Sequence, residues 1–220
     1  MKNLVIKDIK VLRFMNLFIL VVGIVSAIIG NTVNEILKSK LIYGYGIFLM
    51  VYVSISYTTQ YDIKAKSDIM LNSLSINRND IVKARYISSI LYLLFSIGVI
   101  FIATNISKYL FASNNLGNPV KILDMLFLSG ICLIFISLFL PFQYYNMEKV
   151  QIFNSIFYII LVLSPNLVSK YMPNIGTSKW FDAAMKMDFK SITYSLLGLG
   201  IILCFISLQI SKQIYKTKEF

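Results

Sequence analysis

Residues 122–142 read ILDMLFLSGICLIFISLFLPF, and Asp124 is the single charged side chain among them. At 1.5 Å of rise per residue a helix of this length reaches about 30 Å, the thickness of a bilayer's hydrocarbon core. Neither a strand-like alternation nor a helical polar stripe breaks the run, so lipid is the solvent it suits. Working outward, comparable runs fall at 14–30, 41–58, 86–104, 152–168 and 189–210. The reading is an all-α membrane protein, one domain over residues 1–220 with six transmembrane helices.

Composition agrees with that reading. Of 220 residues, 57% are hydrophobic and 14% charged, against about 45–50% and about 25% in a soluble domain. Histidine is absent, and the two cysteines, Cys132 and Cys204, both lie inside apolar runs. The familiar nucleophilic and metal-dependent mechanisms therefore lack their usual participants, and the chain is expected to be non-catalytic. A formal charge of +11 raises the question of nucleic acid. The Lys and Arg residues, however, sit between apolar runs without a continuous stripe, which points to lipid headgroups and topology instead. No nucleic-acid partner is expected.

Six spans place both ends of the chain on one side. With that side cytoplasmic, Lys and Arg number 13 there and eight on the other side, the eight being Lys38, Lys40, Lys108, Lys121, Lys170, Lys179, Lys186 and Lys190. The bias has the sign of cytoplasmic termini. The N-terminal stretch MKNLVIKDIKVLRF mixes apolar and basic residues, the pattern either of a helix lying along the interface or of a charged lead-in to the first span. It is read as retained, without a cleavage site. Charged groups near the spans are few, and Asp124 and Lys190 sit at span ends, where headgroup contact or snorkelling suffices. Gly23, Ala27, Gly44, Gly46, Gly198 and Gly200 are small residues at which helices can approach closely inside the bundle or at a subunit interface. Pro141 and Pro165 are expected to end or kink spans four and five, leaving 169–188 as an external segment with the single Trp180.

One stretch stands apart. Residues 59–85, TQYDIKAKSDIMLNSLSINRNDIVKAR, are too polar for the bilayer and too patterned for a linker. Ile69, Leu71, Leu74 and Ile76 alternate with polar residues, and Asn79 or Asp80 can cap a helix beginning at Ile81. An amphipathic helix resting on headgroups is the simple reading. The same residues also carry a resemblance. YDIKAKSDIMLNSLSINRNDIVKARYI at 61–87 resembles the loop between the second and third spans of ABC-2 type transporter permeases, and LPFQYYNMEKVQIF at 140–153 resembles a cytoplasmic edge of the same small bacterial proteins. The sequence departs from the pattern at Ser75, where proline is usual, and at Asn146 and Met147, where glycine is usual.

The resemblance implies an N-terminal interfacial helix and, between spans two and three, a cytoplasmic coupling helix that seats in a groove of a separate ATP-binding subunit. This chain has no G-x-x-x-x-G-K-[ST] sequence, so ATP and Mg would be held by that partner and no cofactor by this chain. By carry-over, Asp68, Leu71, Asn72, Ser73, Leu74 and Arg78 would dock the ATPase. Glu148 and Lys149 would line a second cytoplasmic edge or, equally, form a helix-packing ion pair. The family further implies a homodimer or a heterodimer with a second permease in the bacterial cell membrane. Its uncharged pathway would suit small amphipathic or cytolytic peptides, as in exporters of phenol-soluble modulins or bacteriocin-immunity permeases. The competing expectations are a membrane-embedded scaffold that recruits a soluble partner without moving cargo, and an intramembrane enzyme, which lacks a pair of ionisable groups within the spans.

Overall fold

A computed structural model of the chain describes residues 2–33, 36–65, 67, 70, 77–110, 120–145, 154–156, 158, 159 and 189–217. They form six long helices: α1 (Lys2–Val11), α2 (Arg13–Thr32), α3 (Ile36–Lys64), α4 (Arg78–Leu110), α5 (Ile122–Tyr145) and α6 (Phe189–Thr217). Helices α2 to α6 supply five stretches long and apolar enough to cross a membrane. Of the run at 152–168, residues 154–156, 158 and 159 are helical. The rest of that run and the segment 169–188, with Pro165 and Trp180, lie outside the described residues.

The helices outlast the apolar runs that announce them. The polar stretch expected to occupy 59–85 is narrower, because α3 continues to Lys64 and α4 starts at Arg78. The reason at the second boundary is a cap one turn earlier than expected. Asn77, not Asn79 or Asp80, accepts the Asn79 N–H through its side-chain oxygen at 3.0 Å, and its carbonyl accepts the Asp80 N–H at 2.8 Å. Asp80 in the first turn suits the positive end of the helix dipole. With 33 residues, α4 is about 50 Å long and extends well past a hydrocarbon core of about 30 Å. Pro141 does not end α5, which runs on to Tyr145; the proline lies in the last turns.

The break between α1 and α2 falls at Leu12, whose side chain is buried. α1 is thus a helix of its own, packed against α4 and α3. The core is built from α3 (Tyr43, Ile47, Met50, Val51), α4 (Val82, Tyr86, Ile100) and α5 (Ile136, Leu140). Large apolar side chains of α2 and α6, among them Phe14, Leu17 and Phe205, face outward. An apolar exterior leaves helix association to close packing, and small residues provide it. A Cβ added at Gly23 would stand 2.5 Å from Val99, one at Gly44 2.7 Å from Leu128, and one at Gly46 2.6 Å from the Ser26 hydroxyl. The tightest crossing joins α5 and α6, where a Cβ on Gly200 would stand 3.1 Å from the Gly130 carbonyl oxygen and one on Gly130 would overlap Leu196. Gly198, expected to serve the same purpose, has open space beside it.

Candidate functional site

Polar side chains collect at the two ends of the bundle, and between them α2 to α6 carry no Asp, Glu, Lys or Arg. The denser collection lies at the end where α3 leaves the bundle, α4 re-enters it and α1 packs across both. Asp62 is in the last turn of α3 and Arg85 in the third turn of α4, so the two stand on either leg of the connecting segment. Arg85 Nη2 donates to Asp62 Oδ2 at 2.5 Å, and its Nη1 lies 3.4 Å from Asp8 Oδ2 on α1. Lys7 Nζ reaches Asp62 Oδ1 at 2.8 Å and Asp8 Oδ1 at 3.6 Å. Two hydroxyls complete the set: Ser67 donates to Asp62 at 2.6 Å and Ser88 to Asp8 at 2.8 Å.

Two acids and two bases make this cluster neutral overall, which is the condition under which charges tolerate removal from water. The removal is substantial, since the side chains of Arg85, Asp62 and Asp8 are 11%, 13% and 7% exposed. A planar guanidinium suits the central place because it donates to Asp62 through one nitrogen while its delocalised charge also faces Asp8. Neighbouring contacts tie the remaining helices to the same end. The Thr59 hydroxyl donates to Gln143 Oε1 at 2.9 Å, Arg78 Nη1 donates to the Lys216 carbonyl at 2.9 Å, and Tyr144 meets Tyr215 edge to face. α1 and the C-terminal turns of α6 therefore share this end with the segment that joins α3 to α4.

The opposite end is organised differently. Lys40 Nζ lies 2.8 Å from Asp124 Oδ1 and 5.4 Å from the Phe189 ring centroid. Asp124 is 5% exposed and is held by this pair, which corrects the expectation of a carboxylate reaching for headgroups. Beside it stands a neutral network: Asn31 Nδ2 donates to the Thr104 carbonyl at 3.2 Å and to the Ser107 hydroxyl, and Asn31 Oδ1 accepts from Tyr43 at 2.7 Å. Gly30 is required there, because any Cβ would overlap the Tyr43 ring.

Of the residues expected to dock a partner, Arg78 is in the first turn of α4, joined to the end of α6 as described. Asp68, Leu71, Asn72, Ser73 and Leu74 lie outside the described residues, as do Glu148 and Lys149. What sequence reasoning missed is the cluster behind the loop. The available signal was a lone acid closing one apolar run and a lone arginine opening the next, with a second acid, Asp8, among four bases near the N-terminus. Chemically the cluster is a fastener: among the described residues no group of three or more His, Cys, Asp or Glu gathers to hold a metal, and both cysteines are buried and free.

A bundle of membrane-crossing helices, with charge confined to its ends and a polar segment held between two spans, defines a multi-pass membrane protein of the transporter-permease kind. The family model for ABC-2 family transporter proteins matches residues 3–216, and the chain belongs to that family as a membrane component of an ABC transporter. Searches of curated proteins and of solved structures found no match.

Proposed function

We propose that the chain is the membrane subunit of an exporter that moves small amphipathic or cytolytic peptides, or like amphiphiles, out of a bacterial cell. A separate ATP-binding-cassette subunit, holding ATP and Mg, supplies the work. The observation that carries the cargo reading is the uncharged middle of the described helices, where hydroxyls, amides and aromatic rings are the polar inventory. Ion and proton carriers ordinarily place ionisable groups at that depth. Amphiphiles need none.

In this reading the ATPase grips the segment between α3 and α4 from the cytoplasm, where both termini also lie. Leu71 and Leu74 fill its groove, Asp68, Asn72, Ser73 and Arg78 fix the register, and Glu148 with Lys149 line the second edge. Six spans enclose little by themselves, so two permeases, identical or different, flank the route. The test is Leu74→Asp in cells that also make the ATPase. The expected result is normal membrane insertion with loss of ATPase co-purification and of ATP-driven uptake of a labelled amphipathic helical peptide into inverted vesicles. Undiminished complex formation would overturn the docking assignment. A stable complex containing no nucleotide-binding protein would leave a scaffold in place of a transporter.

A further inference from the structure

A second polar feature lies one turn from the charged cluster, on the other side of α3. An open cleft of about 410 Å³ is walled by Tyr52, Ser56, Tyr57 and Gln60 of α3 and by Asn154 and Tyr158 of the fifth apolar run. That size is within the range of small-molecule sites, and among the described residues its lining includes no charged one. The Tyr52 hydroxyl donates to the Asn154 carbonyl at 2.9 Å, which fixes the two walls relative to each other. Asn154 is 4% exposed, yet among the described residues neither its side-chain Nδ2 nor its Oδ1 has a hydrogen-bond partner. Leaving a buried amide without either of its bonds is unfavourable, and few such groups persist in a folded protein without a reason.

We infer that this cleft is a recognition site for a peptide backbone amide carried on an apolar chain, with Asn154 supplying a donor and an acceptor to the ligand's C=O and N–H. The chemistry selects that class. An Asn side chain presents one acceptor and a donor side by side, which the N–H and C=O of one residue in an extended peptide can satisfy together, a trans amide pointing its own two groups apart, whereas the ester analogue keeps the C=O and lacks the N–H. Three tyrosine rings give the apolar part of the ligand a surface while their hydroxyls stay compatible with a polar end. Charged headgroups find no counter-charge in the lining. The inference deepens the transport reading and rests on it for the cleft's purpose, but the binding itself is testable without transport.

The probe is a pair of fluorescent ligands, an N-decanoyl leucine amide and its ester isostere in which oxygen replaces the backbone N–H, titrated against the full chain in lipid nanodiscs. The wild type is expected to bind the amide about tenfold more tightly than the ester, a ratio of about 1.4 kcal/mol. Asn154→Leu is expected to abolish that preference, weakening the amide, which loses two hydrogen bonds, more than the ester, which loses one, and Gln60→Leu, at an exposed position, guards against misfolding by weakening both ligands without changing their ratio. Equal binding of amide and ester by the wild type overturns the inference, as does a preference that survives in Asn154→Leu. A preference that depends on Asn154 in a protein found to move no peptide with its ATPase would retain the site and remove the transport reading.

Discussion

The two ends of the bundle solve one problem by different means. At the loop end, four charged side chains from three helices are gathered around Arg85 and withdrawn from water. At the far end, a neutral network around Asn31 joins α2, α3 and α4, and the Lys40–Asp124 ion pair there uses a lysine whose side chain is 42% exposed. A neutral network stabilises a single arrangement at modest electrostatic cost. A buried charge cluster is costly to open, because each ion then lacks its counter-charge. The costly joint is at the end where the segment between α3 and α4 leaves the bundle, and it ties α1, α3 and α4 to one another.

Substitutions can break that comparison in order of size. Arg85→Leu leaves Asp8 and Asp62 buried side by side and is expected to destabilise by about 3–5 kcal/mol, read as a large fall in the thermal unfolding midpoint in detergent. A loss below about 1 kcal/mol, the scale of exposed pairs, would show the cluster to be solvated and the contrast illusory. Asn31→Leu strips donors and acceptor from Thr104, Ser107 and Tyr43 and should cost about 1–3 kcal/mol. A value above that for Arg85→Leu would reverse the ranking of the two ends. Lys40→Met should cost about 1 kcal/mol, since the lysine is already half in solvent and Asp124 keeps the Lys121 N–H at 3.3 Å. Lys83→Gln, which removes an i,i+3 contact to Asp80 at 3.7 Å on the surface of α4, should change stability by less than about 0.5 kcal/mol, and urea titrations that resolve it from zero would place that face in a drier setting.

Much of this was legible in the chain. Long apolar runs announce spanning helices because hydropathy is a property of each run by itself, and α2, α5 and α6 begin within a residue of where the runs begin. Helix ends were less legible, since Asn77 rather than hydropathy decides where α4 starts. The fasteners were least so. Asp62 and Arg85 look like ordinary loop charges until folding brings α1 over them, and Asp124 looks like a headgroup seeker until Lys40, 84 positions earlier, arrives beside it. Pairings across such distances in sequence leave no periodicity to detect. The family was readable from the segments at 61–87 and 140–153, even though most of the residues expected to dock a partner lie outside the described structure.

The crossing of α5 and α6 at Gly130 and Gly200 has a mechanical consequence. Backbones in such intimate contact over a long interface turn as a single lever. The seam of α6 with α4 is narrower and includes hydroxyl contacts, Tyr86 with Ser207 at 2.6 Å and with Ser211 at 2.8 Å. Hydroxyl contacts of that kind can be exchanged for one another as two rods slide, whereas interlocked glycine backbones cannot. The contacts that join α6 to α4 at Tyr86 are thus expected to yield to strain before the glycine crossing of α5 and α6 does.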